Sequence, residues 1–199
     1  MLHISTDYVF GGGLAQPLAE TIPPRPINYY GQTKLEGEQK ILAQHQSVYI
    51  IRTSWLYSAV GSNLLTSILA QANQGKAIRY VYDQISSPTY AGDLAQAIWE
   101  MICKLNQAPS QYSPGIYHYA NEGIASRYDF AWAIINYASI ACQIIPGLSR
   151  DFSGLAQRLV YSVLSKEKVK HTFGLSIPHW QESLRHCIGK LATTIVNVK

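Results

Sequence analysis

No apolar run in this sequence approaches the ~20 residues that a membrane-crossing helix needs. Nor does the chain open on a charged segment leading into an apolar one, so neither a bilayer span nor a secretory signal is expected. Cysteine is scarce. Cys103, Cys142 and Cys187 are odd in number, far apart and never in C-x-x-C, which excludes a disulfide framework or a cysteine zinc site and leaves buried thiols. G-x-S-x-G, a Walker glycine-lysine loop and H-E-x-x-H are missing, and the 6 histidines have no metal-ligating spacing. Charge of either sign is thinly spread, 16 basic residues against 12 acidic, for a net +4. Only SKEKVKH at 165–171 concentrates it, and that reads as the solvated face of a short helix, so nucleic acid is not an expected partner. Repeats, low-complexity segments and long linkers are also missing. A globular, cytoplasmic protein is the expectation.

With 199 residues, 47% of them hydrophobic, the chain can bury a sizeable core. MLHIST opens it as a strand, and a loop rich in Gly and Pro follows from Gly11 to Pro26. Residues 28–45 read as a helix and SVYIIRTS at 47–54 as a buried strand. The alternation continues with a helix near 62–74 ended by Gly75, a strand at 77–82 and a helix from 89 to 105. A strand at 115–121 and a helix at 126–141 with Ser126 as N-cap come next. Short helices at 165–173, stopped by Gly174, and 178–191 complete the chain. Strands alternating with helices at these lengths predict an α/β fold with a mostly parallel sheet.

The stretch NYYGQTKLEGE at 28–38 carries the first chemistry. Residues four apart share a helix face, so Tyr30, not Tyr29, neighbours Lys34. An ammonium beside a tyrosine favours its phenolate, and such a pair can exchange a proton with a substrate oxygen. By itself the spacing is weak, because a chain with 14 tyrosines produces it by chance. Two strands that end in hydroxyl residues, HIST and IIRTS, flank it. In a doubly wound sheet ligands gather at the strands' carboxyl ends, which brings Thr6 and Ser54 to one crevice.

STDYVFGG, PRPINYYGQTKLEGE, IRTSWLY, DQISSPTYAGDLA and RLVYSVLSKEKVKHTFGLSIPHWQESL stand in an order and spacing that resembles the dTDP-4-dehydrorhamnose reductase family, a branch of the extended short-chain dehydrogenases/reductases. The resemblance runs along nearly the whole chain. It implies reduction of the C4 ketone of dTDP-4-dehydro-L-rhamnose by NADPH or NADH, with Thr6, Tyr30 and Lys34 catalytic. Tyr30 would protonate the developing alkoxide, Lys34 would assist it and bind the nicotinamide ribose, and Thr6 would hydrogen-bond the ketone oxygen. Arg52, Thr53 and Ser54 match the cofactor side, mostly through backbone. Asp7, Tyr8, Trp55, Gln84 and Arg158 match the substrate side. Simpler readings stay beside these: Trp55 as core, Thr6 as an ordinary strand-end hydroxyl, Arg158 as a surface arginine. The family's divalent cation, at a dimer interface in some members, has no ligands that can be mapped here.

The resemblance also implies a fold: the C-terminal part of a Rossmann-like doubly wound sheet, residues 1–60 and 84–108, with a small substrate-binding lobe from 61–83 and 109–199. The family's glycine-rich turn and first strand–helix units have no counterpart, since Gly11–Gly13 lead into a proline-rich loop. A truncated gene, a fragment and one half of a split protein all fit that departure, and the partners this reading allows are the missing N-terminal half or a second copy in a homodimer. Gly11 stands where the family commonly has Asp, and RLVYS replaces an Arg-Pro pair. Two other functions fit the same fold: a silent regulatory homologue resembling the methionine adenosyltransferase regulatory subunit, and an epimerase of nucleotide sugars.

Overall fold

The structure, a computed structural model, describes residues 1–13, 15–152 and 157–196. In chain order its elements are β1 (Leu2–Thr6), α1 (Tyr29–Gln44), β2 (Tyr49–Thr53), β3 (Leu56–Tyr57), α2 (Leu64–Ala72), β4 (Ile78–Val81), β5 (Ile85–Ser86), β6 (Thr89–Tyr90) and α3 (Ala91–Gln107). Then come β7 (Gly115–His118), β8 (Ala125–Ser126), α4 (Arg127–Tyr137), β9 (Ile144–Gly147), α5 (Glu167–Phe173) and α6 (Trp180–Val196).

The main sheet is parallel, in the order β1-β2-β7. β2 lies at its centre and is buried at every position, as the unbroken apolar character of YII requires of a strand covered on both faces. Side chains alternate across a strand. Tyr49 and Ile51 therefore join Leu94, Met101, Val169 and Phe173 of α3 and α5 on one face, while Arg52 turns to the other face and meets Glu38 of α1. Thr6 pairs in register with Thr53, so β1 and β2 end side by side and open one crevice.

A second core gathers α2, α4 and α6 around Leu65, Ile68, Phe130, Ile134, Trp180 and Leu184. Three short two-stranded pairings stand beside the main sheet, β3 with β6 and β4 with β9 in parallel and β5 with β8 antiparallel. The α/β architecture with a parallel sheet is the expected one. One boundary differs: β7 falls inside the range expected for the lobe yet pairs with β2, because Ile116 and Tyr117 continue the buried layer beside Ile50 and Ile51. Of that range, 153–156 and 197–199 lie outside the described residues.

Local signals hold where chemistry dictates them. Ser126 caps α4 in a reciprocal box with Asp129, and Gly174 ends α5 in the left-handed conformation, φ 58°. The charges of α5 are more engaged than a solvated face implies: Lys166 and Lys170 both pair with Glu122, at 3.3 and 2.8 Å. All three cysteines are free. Cys187 is buried, and burial pushes its thiol up to about 11.

Candidate active site

β1 ends on Thr6, whose hydroxyl oxygen accepts a hydrogen bond from the Tyr8 backbone N–H at 3.2 Å and so turns the chain into a 3-10 turn, Asp7–Val9. α1 starts beside that turn. Asn28 caps it by accepting from the Gly31 N–H at 2.8 Å, and Gly31 lets its first turn lie against the Tyr8 carbonyl. These contacts set Tyr30 edge-on to Tyr8, with ring centroids 5.7 Å apart. One helical turn on, Lys34 Nζ donates to the Ile4 carbonyl at 3.0 Å, which fixes the ammonium against β1. Tyr29 points to solvent, 83% exposed.

Tyr30, Lys34 and Thr6 line one cavity of about 330 Å³, together with Asp7, Tyr8, Thr53, Ser54, Trp55, Arg127 and Arg158. Ser54 is fixed by donating to the Ser87 carbonyl at 2.8 Å. Trp55 adopts φ 43°, a left-handed backbone that costs a bulky residue on the order of 1–3 kcal/mol and that concentrates at functional positions. The Arg127 guanidinium lies over its ring, 4.5 Å from the centroid.

Two residues expected at the site are directed elsewhere. The Arg52 side chain is buried and bound to Glu38 through Nε and Nη2, at 2.9 and 2.6 Å, so only its backbone belongs to the strand end. Gln84 is also buried and off the cavity wall. It donates to the Ser149 hydroxyl and accepts from Arg127 Nε, both at 2.9 Å, and so steers Arg127 toward Trp55. The sequence does not single out Arg127, whose position just after the Ser126 cap marks a helix start and nothing more.

The cavity is electropositive, with Lys34, Arg127 and Arg158 facing Asp7 as the lining acid. Burial pushes the Asp7 carboxyl up to about 6, against the opposing pull of the Ser162 and Thr6 hydroxyls and the Arg127 charge. Thr6 Oγ1 donates to Asp7 Oδ1 at 3.1 Å. Arg127 is held below the usual guanidinium range by burial and by the nearby Arg158 charge. Arg158 donates to the Tyr8 hydroxyl at 3.1 Å.

Among the described residues no group of three or more His, Cys, Asp or Glu could hold a metal ion, and no helix is long and apolar enough to cross a membrane. Gly11 packs closely within its loop, since a Cβ there would stand 2.6 Å from the Arg25 carbonyl oxygen. Lys34, Thr53 and Ser54, expected from the sequence to meet the nicotinamide end of a dinucleotide, line the same cavity. A glycine cradle for its diphosphate is not formed by the described residues.

A parallel sheet whose first strand ends on Thr6, with Tyr30 and Lys34 of α1 lining the same cavity, is the arrangement of an extended short-chain dehydrogenase/reductase-like fold. The chain belongs to the family described as RmlD substrate binding domain, whose profile matches residues 1–193. It is 39% identical over 184 residues to the spore coat polysaccharide biosynthesis protein SpsK of Bacillus subtilis, covering 92% of this chain and 62% of that protein. To the dTDP-4-dehydrorhamnose reductase of Aggregatibacter actinomycetemcomitans it is 34% identical over 193 residues, covering 94% and 65%. The crystal structure of dTDP-4-dehydrorhamnose reductase from Bacillus anthracis in complex with NADP superposes with a TM-score of 0.86 at 35% identity, covering 95% of this chain and 65% of that one. The chain thus spans less than two thirds of the length of each of these three relatives.

Proposed function

We propose that this chain carries the substrate-reducing side of a dTDP-4-dehydrorhamnose reductase, which converts the 4-keto group of dTDP-4-dehydro-L-rhamnose to the alcohol of dTDP-L-rhamnose. The observation that supports this reading is the presence of Tyr30, Lys34 and Thr6 in one cavity, beside Trp55. The presence of all three favours an enzyme over a silent regulatory homologue.

When bound, a reduced nicotinamide supplies the hydride that reaches the ketone carbon. Tyr30 gives its phenolic proton to the carbonyl oxygen, so that the C=O double bond becomes an alcohol, and Tyr30 regains a proton from solvent. The Lys34 ammonium, anchored on the Ile4 carbonyl, stands beside the tyrosinate left after transfer and offsets its charge. Thr6 orients the ketone by its hydroxyl, exchanging its bond to Asp7 for one to the substrate oxygen. Trp55 presents an apolar ring face to the sugar. Thr53 and Ser54 hold the nicotinamide side through backbone, and Asp7, Tyr8 and Arg158 hold the substrate side. A cytoplasmic location belongs to the same reading.

Calorimetric titration with dTDP-L-rhamnose, in the presence and absence of NADPH and NADH, tests it. Saturable binding of the nucleotide sugar is the expected result. A folded protein that binds neither the nucleotide sugar nor a nicotinamide dinucleotide contradicts the reading.

A further inference from the structure

A line of hydrogen bonds runs from the cavity wall to a carboxylate outside it. Arg127 Nε donates to Gln84 Oε1 at 2.9 Å, Gln84 Nε2 donates to the Ser149 hydroxyl at 2.9 Å, and that hydroxyl donates to Asp83 Oδ1 at 2.8 Å. The Ser149 backbone N–H adds bonds to both Asp83 oxygens at 3.0 Å and pins the serine to the carboxylate. The ends of the line fix its direction, because a guanidinium only donates and a carboxylate only accepts. Ser149 gives its proton to Asp83 and keeps a lone pair for Gln84. The Gln84 amide must then turn its NH2 to Ser149 and its oxygen to Arg127. Arg127 thus meets its counter-charge through neutral side chains, and each bond in such a chain polarises the next. Among the described residues it forms no direct ion pair. Neither Asp83 nor Ser149 lines the cavity.

What the line holds in place is an aromatic ring. The Arg127 guanidinium lies 4.5 Å from the centroid of Trp55, whose backbone sits at φ 43°. A strained conformation of that kind persists only where its surroundings over-determine it. Turning the Gln84 amide over would set its NH2 against Arg127 Nε–H, donor to donor, and drive the guanidinium off the ring. We propose that Asp83 and Ser149 are positioning residues: from outside the cavity they set the direction of the Gln84 amide, and through it the stacking of Arg127 that holds the Trp55 ring toward the sugar. The sugar's part in this rests on the proposed function. The link from Asp83 to Trp55 does not, so it is read without a ligand.

The experiment uses the full chain with Trp99 and Trp132, which are 61% and 52% exposed, replaced by phenylalanine, leaving Trp55 and the buried Trp180. Acrylamide quenching of fluorescence reads how well Trp55 is covered, with Trp55→Phe in the same background to subtract Trp180. Calorimetric titration with dTDP-L-rhamnose reads the sugar side. Asp83→Asn keeps the shape of the side chain but adds a donor, which lets the line reverse. Asp83→Asn and Ser149→Ala are each expected to open Trp55 to the quencher and to lower affinity for dTDP-L-rhamnose by about tenfold. Ser149→Thr retains the hydroxyl and is expected to restore both readouts. Native melting transitions should survive, since Asp83 and Ser149 are only half-buried. Parental quenching in Asp83→Asn overturns the proposal and leaves the proposed function standing. Equal quenching in Ser149→Thr and Ser149→Ala overturns it as well, because the hydroxyl would then not be the agent. Increased quenching with unaltered affinity for dTDP-L-rhamnose overturns the link from the ring to the sugar. A parent chain that does not bind dTDP-L-rhamnose counts against the proposed function, and quenching still decides the link from Asp83 to Trp55.

Discussion

A Cβ placed on Gly31 would overlap the Tyr8 carbonyl oxygen, so the first turn of α1 and the turn after β1 meet backbone to backbone. Tyr30 is one residue away, and the closeness of this contact brings it beside Thr6. Gly31→Ala must push the helix start outward, costing about 1–3 kcal/mol and weakening ligand binding at the cavity. Gly37, on the same helix, has nothing within 4 Å of its Cβ position. Gly37→Ala is therefore expected to stabilise by about 0.5–1 kcal/mol. Urea denaturation of the two variants reads opposite signs if the packing is as described.

Arg52 and Glu38 form an ion pair that is 2% and 1% exposed at the side chains. Removing one charge leaves the other buried without its counter-ion. Glu38→Gln is expected to cost about 3–5 kcal/mol, far more than the pair's replacement by two apolar residues. Equal stability losses for the single and the apolar double variant would argue against a desolvated pair.

Stability should depend on pH through two buried groups of opposite sign. His118 Nδ1–H donates to the Leu18 carbonyl at 3.0 Å, and burial followed by the Arg52 charge holds the imidazole down at about 3. Its folded value lies below the unfolded one, so its contribution is present above pH ~6.5 and is lost as pH falls toward ~3. Asp7 works the other way. With its folded value raised to about 6, the native state holds the proton more tightly, and stability is lost as pH rises from ~4 to ~6. Asp7→Asn removes that second dependence. The variant's stability relative to wild type should climb by roughly 3 kcal/mol between pH ~4 and ~6 and then level off. A difference independent of pH would show that Asp7 titrates normally.

Trp55→Gly separates backbone strain from ligand contact. Glycine accepts φ 43° without penalty, which offsets part of the lost ring packing. Binding of dTDP-L-rhamnose should nonetheless fall more than about tenfold while the melting temperature moves little. A parallel collapse of both would mean that Trp55 belongs to the core.

Much of this arrangement is legible in the chain because it is set by local chemistry. The apolar YII of β2, the Ser126 cap and Gly174 each have one sterically or electrostatically favoured use, and the four-residue offset separates Tyr30 from the solvent-facing Tyr29. What the chain conceals depends on partners distant in sequence. Arg52 looks like a strand-end residue until α1 presents Glu38 to it. Arg127 looks like a helix start until Gln84 and Trp55 turn it into the cavity. β7 looks like part of the lobe until β2 takes it as a neighbour, and two-residue strands such as β3 and β6 carry too few side chains to show a period.

The most direct test of the central claim is the rate of NADPH-dependent reduction of dTDP-4-dehydro-L-rhamnose by wild type and by Tyr30→Phe. Loss of the phenolic proton donor should lower turnover by about 10²–10⁴-fold with the melting transition unchanged. An unaltered rate in Tyr30→Phe would contradict the account, because no other residue in it delivers that proton.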